Sequence, residues 1–306
     1  MKKLLYSLLF VGFFANVNAQ QLPFTTPIQD MHHFWNPAFT APATDLIYTG
    51  FFRKQWVGFD NAPNTAFASI QYPFVDMNMS AGAAIVSDKT GPVSKLGLQL
   101  NYAYKLREVL KDDDHLAFGV SGYFYQYRFN PTNEVANQSI DPLLQGQTQS
   151  KFNPSLGLGF AYFSSTEEFA RENIFYFGMS TMQFLSGKLL LESGDAERQR
   201  HYFANIGLKY FTYDSYLEPS IQVNFVKPEL IDIVVGMKYE MEETFWAGLN
   251  YSTVNDLSFS GGVILEDVGG RYTSLRLGIL AAFNAGPLLQ AGPSLEFFAA
   301  YKFDID

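Results

Sequence analysis

The chain has 306 residues, a formal net charge of −9 at pH 7 and no cysteine. Aromatic residues make up 17% of the chain, which excludes a disordered chain because disordered chains lack apolar groups. Charged residues also make up only 17%, below the roughly 25% of an average soluble domain. Without cysteine there is no disulfide framework, thiolate zinc site, iron–sulfur cluster or cysteine nucleophile, and the acidic balance argues against nucleic acid as a partner. A large β-rich protein remains, either soluble or in a membrane.

The first 19 residues have the pattern of a secretory signal peptide. Lys2 and Lys3 precede a short apolar stretch, Leu4 to Ala15, and small residues lead up to Ala19. A membrane-spanning helix would need about 20 apolar residues, so this stretch is too short to span. We therefore predict export with cleavage after Ala19, followed by an N-terminal lead-in segment from residue 20 to residue 45.

The region from Lys95 to Arg107 shows the pattern of a long β-strand. Every second side chain is apolar, and the others are polar or small; the apolar set is Leu96, Leu98, Leu100, Tyr102, Tyr104 and Leu106. The segment is longer than the roughly five or six residues typical of soluble sheets, and about 9–11 residues suffice to cross a bilayer. Strands cross a membrane as a closed barrel because closure satisfies every backbone hydrogen bond.

Further segments with this alternation, or with a similar apolar pattern between turn residues, follow one another along the chain. They are Leu46 to Phe59, Thr65 to Val75, Met79 to Asp88, Leu116 to Phe129, Ser155 to Tyr162, Ile174 to Phe184, His201 to Tyr210, Ser215 to Lys227, Leu230 to Met241, Thr244 to Ser252, Leu257 to Glu266, Tyr272 to Phe283, Gly286 to Gln290 and Ser294 to Phe303. Gly286 to Gln290 is the weakest of them. Because bacterial barrels have an even number of strands, we predict an all-β fold, a transmembrane antiparallel β-barrel of about 14 strands over residues 46–306.

The connections and the aromatic residues complete this barrel prediction. The turns are short except for one long loop, Asn130 to Ser150. Aromatic residues near the strand ends are expected to form girdles at the membrane interfaces, and the core of a soluble β-sandwich is the alternative for them. The residues concerned are Trp56, Phe59, Tyr72, Phe74, Tyr125, Tyr127, Trp246 and Tyr301.

No motif for catalysis or cofactor binding is present, and the four histidines lack the spacing of metal ligands. We therefore predict no enzyme activity, no cofactor and no metal site. Two alternatives stay open. One is a barrel enzyme acting on lipids, with His115 or His201 at one rim. The other is a passive or ligand-selective outer-membrane pore lined by Lys95, Gln99, Asn101, Lys105 and Arg107, although a plug could equally satisfy these side chains.

Two motifs lie at the first predicted strand. Asn36-Pro37-Ala38-Phe39 precedes the strand, and the second motif covers its later half and the turn after it: Phe52-Arg53-Lys54-Gln55-Trp56-Val57-Gly58-Phe59-Asp60-Asn61-Ala62-Pro63-Asn64-Thr65. The pattern continues in Gly82, in Asp88-Lys89-Thr90-Gly91-Pro92 and in Tyr102-Ala103-Tyr104-Lys105. From Asn36 to Arg107 the sequence resembles the PorP/SprF family of outer-membrane proteins of the type IX secretion system.

This resemblance implies a barrel in the cell outer membrane that is not an enzyme. Such a barrel works in contact with outer-membrane lipid and with the periplasmic and lipoprotein components of the secretion machine. It supports the export, or the anchoring at the cell surface, of large proteins that carry a C-terminal sorting domain. Those cargo proteins are often adhesins of bacteria with gliding motility.

The two motifs also provide candidate partner-binding residues. Pro37 restricts Asn36 to an extended conformation, so the lead-in segment should form a defined hook. Arg53 and Trp56 lie three positions apart, which predicts opposite sides of a strand, and an exposed turn follows them. The docking hypothesis names Asn36, Pro37, Phe39, Arg53, Trp56, Gly58, Phe59, Asp60 and Pro63. The alternative for these residues is an ordinary girdle and hairpin.

Overall fold

A computed structural model describes residues 28–130, 148–150, 152–165, 172–186, 189–191, 194–196, 199–242, 244–254, 256–286 and 290–305. The predicted signal peptide lies outside the described residues, as does most of the predicted loop from Asn130 to Ser150. Among the described residues, no helix is both long and apolar enough to cross a membrane.

Fourteen long antiparallel strands form one closed sheet, which confirms the predicted barrel. They are β1 (Asp45–Lys54), β2 (Asn64–Phe74), β3 (Met79–Thr90), β4 (Val93–Arg107), β5 (His115–Phe129), β7 (Asn153–Phe163), β8 (Ile174–Ser186), β11 (His201–Phe211), β12 (Ser215–Lys227), β13 (Leu230–Met241), β14 (Phe245–Ser252), β15 (Asp256–Glu266), β16 (Thr273–Asn284) and β17 (Ser294–Asp304). Three short strands, β6 (Thr148–Gln149), β9 (Leu189–Leu191) and β10 (Gly194–Ala196), lie in the connections. The barrel closes where β1 pairs with β17, Asp45 opposite Asp304.

The weakest predicted strand, Gly286 to Gln290, is not one of these barrel strands. Its two described ends lie in the connection between β16 and β17, and its three middle residues are outside the described part. Each of the other predicted segments matches one barrel strand to within a few residues.

The two faces of β4 differ as the alternation predicts. The predicted outward side chains are all exposed: Leu96, Leu98, Leu100, Tyr102, Tyr104 and Leu106. Gln99, Asn101 and Lys105 are buried on the opposite, lumenal face. Arg107 is a correction, because it is the last residue of β4 and is exposed at the rim instead of lining the lumen.

Two other expectations need correction. The strand predicted from Leu46 to Phe59 ends at Lys54, because Trp56 has φ of 48°, a left-handed conformation that cannot continue a strand. The girdle prediction is wrong for Tyr125 and Trp246, whose rings are buried in the lumenal core, whereas Tyr72 is exposed on the outer wall.

The turns fall on two rims because the chain direction reverses from strand to strand. The rim that holds the start of β1 and the end of β17, here called the terminal rim, also carries the turns after β2, β4, β7, β11, β13 and β15. The opposite rim, called the loop rim, carries the connections after β1, β3, β5, β8, β12, β14 and β16. The β1–β2 turn therefore lies on the same rim as the loop predicted from Asn130 to Ser150.

Candidate functional site: the plugged lumen and the β1–β2 turn

The chain from Ile28 to Ala41, here called the plug, lies inside the barrel. It consists of a short 3-10 helix, Ile28–Asp30, a single α-helical turn, His32–Trp35, and a second 3-10 helix, Pro37–Phe39. Every side chain from Met31 to Ala41 is buried. These residues belong to the predicted lead-in segment, and this described part of it occupies the lumen.

Two aromatic residues of the plug bridge nearly opposite walls of the barrel. Phe34 packs edge-on against Phe67 of β2 with ring centroids 5.3 Å apart, and Trp35 packs against Phe203 of β11 at 5.0 Å. Around the barrel, β2 and β11 are separated by β3, β4, β5, β7 and β8 on one side and by the seven strands β1 and β12 to β17 on the other. The plug therefore crosses the full width of the lumen.

Glycines in three adjacent strands let the plug backbone approach the wall. A Cβ atom added at Gly119 of β5 would lie 2.4 Å from the backbone nitrogen of Ala38, and one at Gly159 of β7 would lie 2.1 Å from Oδ1 of Asn36. A Cβ at Gly178 of β8 would likewise lie 2.5 Å from the ring of Phe39. Only glycine leaves room for the plug at these positions, so the wall is shaped to receive it.

Asn36 fixes the bend in the middle of the plug. Its backbone is extended, with φ of −131° and ψ of 111°, which confirms the conformation predicted from Pro37. Its side chain accepts a hydrogen bond from the Ala38 N–H at 3.0 Å and donates one to the Phe160 carbonyl at 3.0 Å. The Asn-Pro pair therefore caps a 3-10 helix and attaches it to the barrel wall at the same time.

Polar side chains of β4 hold the plug by its backbone carbonyls. Gln99 donates to the Phe34 carbonyl at 3.2 Å, Asn101 to the His33 carbonyl at 3.0 Å, and Lys105 to the Ala41 carbonyl at 2.5 Å. These are three of the five side chains that the sequence placed in the lumen. Their hydrogen bonds go to the plug, so these three side chains follow the plug alternative and do not line an open pore.

A quartet of charged side chains joins the other end of the plug to the wall. Asp30 Oδ1 lies 2.7 Å from Lys238 Nζ of β13 and 3.8 Å from Nη1 of Arg276 in β16. Lys238 also pairs with Glu240 at 3.1 Å, and Arg276 donates to both carboxylate oxygens of Glu240. Two acids and two bases thus make a balanced cluster to which the plug contributes Asp30.

The titratable groups of the plug itself have displaced pKa values. Burial lowers the pKa of His32 to about 3 against the opposing effect of the Asp30 charge, and burial lowers the pKa of His33 to about 4. Burial alone would raise the pKa of Asp30, but Lys238 and Arg276 outweigh it and bring that pKa below its ordinary value. At neutral pH the plug therefore holds two neutral imidazoles and one carboxylate.

The structure divides the predicted partner-binding residues into two groups. Asn36, Pro37 and Phe39 are buried in the plug and present no surface on either rim. Arg53 is also buried, facing the lumen opposite Glu296 of β17, while Trp56 lies in the turn beyond the strand. The structure thus does not bring the first motif together with the turn.

Sequence reasoning also missed Asp30, Phe34 and Trp35, although apolar residues just before Asn-Pro signalled a packed segment.

The β1–β2 turn, residues 55–63, is a well-anchored projection on the loop rim. The Trp56 N–H donates to the Ser294 hydroxyl at the start of β17, and the N–H groups of Val57 and Gly58 donate to the connection just before it, at distances of 2.9–3.3 Å. The Gln55 N–H donates to the Pro63 carbonyl at 2.9 Å, which closes the turn on itself. Phe59 at its tip is 58% exposed, and Gly58 and Asp60 are exposed beside it. An aromatic ring and a carboxylate are therefore held out toward solvent.

The histidines at the strand starts make no recognisable catalytic arrangement among the described residues. The His115 ring is stacked on Phe163 with centroids 4.6 Å apart, and neither of its nitrogens has a hydrogen-bond partner there. Across the same described ranges, no group of three or more His, Asp or Glu side chains could hold a metal ion.

The comparison with protein families decides what this barrel is. The model of a family described as "Type IX secretion system membrane protein PorP/SprF" matches residues 17–301. The chain belongs to this PorP/SprF family. The resemblance found on Asn36 to Arg107 is therefore confirmed and extends over nearly the whole chain. The comparison with curated proteins found no match.

Solved structures share the fold of this PorP/SprF protein. It is similar to the CymD monoaromatic hydrocarbon channel, with a TM-score of 0.52 and 9% identity over 93% of this chain and 95% of that one. The toluene transporter TodX of Pseudomonas putida gives a TM-score of 0.50 and 9% identity over 92% and 95% of the two chains. These likenesses show the barrel fold alone. Together, family and fold support an outer-membrane location and a place in type IX secretion.

Proposed function

We propose that this PorP/SprF protein is a non-enzymatic barrel subunit of the type IX secretion system. It supports the export or the surface anchoring of large proteins with C-terminal sorting domains, including adhesins used in gliding motility. The family match over residues 17–301 carries this proposal. The plug also supports it, since a lumen crossed by Phe34 and Trp35 suits a subunit that works through contacts better than it suits a passive pore.

The β1–β2 turn is the proposed docking site for the secreted cargo. Outer-membrane barrels have short periplasmic turns and longer extracellular loops, so the loop rim is the rim assigned to the cell exterior. On that rim the turn presents Phe59 and Asp60 on a backbone fixed by hydrogen bonds. An exposed aromatic residue on an ordered backbone binds at low entropic cost because little remains to be immobilised. Periplasmic and lipoprotein components of the machine are the proposed partners of the terminal rim.

The test of the function compares the surface proteins of cells with and without this gene. We expect deletion to remove one or a few large proteins with C-terminal sorting domains from the cell surface. Re-expression of the wild-type chain should restore them. An unchanged set of surface proteins would contradict the proposal.

The test of the docking site uses exposed aromatic residues on the same rim. Phe59→Ala, Asp60→Ala and Trp56→Ala should each reduce co-purification of the cargo, because each removes a side chain of the turn and leaves its backbone hydrogen bonds in place. Phe152→Ala is the matched control, because Phe152 is also 58% exposed and precedes β7 on the loop rim. If all three variants assembled normally and kept their cargo as the control does, the docking idea would be wrong.

Two other functions make different predictions. A passive pore should conduct ions as the purified wild-type protein in a planar bilayer, whereas the proposed subunit should stay closed. A lipid-acting enzyme should release fatty acid from vesicles and lose that activity when His115 or His201 is changed. The proposed subunit should show no such activity.

A further inference from the structure

The lumenal wall around the plug carries polar side chains that hydrogen-bond to the plug backbone. Besides the β4 donors, Ser180 of β8 donates to the Trp35 carbonyl at 2.9 Å and Ser80 of β3 donates to the Thr40 carbonyl at 2.5 Å. Burying polar groups costs free energy unless each finds a partner, and the carbonyls of the plug supply the partners here. These side chains can instead bind water when the plug is absent.

The plug borders an apolar part of the lumen as well as these polar side chains. Trp246 of β14 and Phe298 of β17 pack edge-on there with ring centroids 6.1 Å apart, and Leu280 is buried with them, in the same cluster as Phe34 and Trp35 of the plug. The wall residues stay when the plug leaves. The polar side of the lumen is the part of the wall formed by β3, β4 and β8, whose side chains hold the plug carbonyls.

The charged quartet shows how the plug is held. With Asp30 in place the cluster contains two carboxylates and two cations; without it, Glu240 is the one carboxylate among the described residues that pairs with Lys238 and Arg276 within 4.0 Å, and the charges no longer balance. The side chains of Lys238 and Glu240 are almost fully buried, each about 4% exposed. Removing one partner from a buried ion cluster leaves an uncompensated charge and strongly favours any state in which water enters.

We propose that the plug is a releasable gate, latched by Asp30, and that its release opens a passage for hydrated ions and small polar solutes along the polar side of the lumen. The lining would include Gln99, Asn101, Lys105 and Ser180, which now hold the plug. Because these groups carry hydrogen-bond donors, the passage suits polar solutes and not hydrocarbons. This inference does not depend on the role in secretion.

The first test measures conductance of the purified protein in planar bilayers bathed in potassium chloride. The wild-type barrel should stay closed. Asp30→Asn keeps the shape of the side chain but removes its charge, and the time spent open should rise by about tenfold or more. Asp76→Asn is the matched control, since Asp76 is exposed in the turn between β2 and β3, and it should stay closed like the wild type.

The second test locks the plug in place, using the absence of natural cysteine. Thr40→Cys and Ser80→Cys are introduced together, because the Ser80 hydroxyl contacts the Thr40 carbonyl across the plug–wall boundary. In the Asp30→Asn background, oxidation of this pair should abolish the openings and a reductant should restore them. Thr40→Cys alone, which replaces a fully buried side chain, should react with a maleimide faster in Asp30→Asn than in the wild type.

Each result decides for or against the gate. A wild-type barrel that conducts freely, or an Asp30→Asn barrel as closed and as slowly labelled as the wild type, would overturn the latch. Openings that persist after the plug is cross-linked would show that the current flows elsewhere. If Asp30→Asn failed to assemble, the comparison of Arg276→Gln with Asp76→Asn would serve, because Arg276→Gln weakens the same cluster from the wall side.

Discussion

Gly119→Ala should separate the plug from the wall of β5 at the point of closest approach. The added Cβ would lie 2.4 Å from the Ala38 nitrogen, 2.5 Å from the Pro37 carbonyl carbon and 2.8 Å from the Pro37 Cβ. These are backbone and ring atoms, which cannot turn aside as the end of a long side chain can. The plug must therefore shift as a unit or leave its place.

The expected cost follows from this geometry. Overpacking a filled interior costs about 1–3 kcal/mol, and the upper end applies here because several atoms without torsional freedom block the new methyl group. Gly122→Ala is the matched control in the same strand: its Cβ would meet nothing nearer than the Phe124 ring at 3.5 Å, an ordinary contact. We expect Gly119→Ala to lower the free energy of unfolding by about 3 kcal/mol, and Gly122→Ala to leave it nearly unchanged.

The assay is urea unfolding of the barrel in vesicles, followed by electrophoretic mobility and by maleimide labelling of Thr40→Cys. Gly119→Ala should lower the urea midpoint and accelerate labelling, whereas Gly122→Ala should do neither. Equal midpoints and equal labelling rates for the two variants would refute the packing argument, since the plug would then not rest on Gly119.

Three further predictions concern the plug. Asn36→Ala should lower the free energy of unfolding by about 1–3 kcal/mol in the same urea assay, because the part-buried Phe160 carbonyl and the buried Ala38 N–H lose the Asn36 side chain as a partner. Trp35→Ala should lower it by about 3–5 kcal/mol and leave a cavity against Phe203. The third prediction concerns pH: between pH 6.5 and pH 5, His32 becomes protonated in the unfolded chain but stays neutral in the folded barrel, where its pKa is about 3. The free energy of unfolding should therefore fall by about 2 kcal/mol as the pH falls over this range. The urea midpoint of His32→Phe should depend less on pH than that of the wild type.

The strands were predictable because their signal is local. Side chains of a strand alternate between its two faces, so the period-two pattern from Lys95 to Arg107 indicates both the strand and its lipid-facing side. The extended backbone at Asn36 was predictable for the same reason, since Pro37 acts on its immediate neighbour. The end of β1 was not, because the N–H of the left-handed Trp56 donates to Ser294 of β17, which lies 238 positions away in the sequence.

The sequence by itself determined that the chain is a membrane barrel of about 14 strands and placed it in the PorP/SprF family. Only the tertiary structure decided that the plug, Ile28 to Ala41, lies in the lumen and that Gln99, Asn101 and Lys105 bind it. Asp30 and Lys238 are 208 positions apart, and nothing near either residue in the sequence marks them as a pair. Closure of the sheet brings them together, and because such contacts depend on the whole ring of strands, no local pattern can specify them.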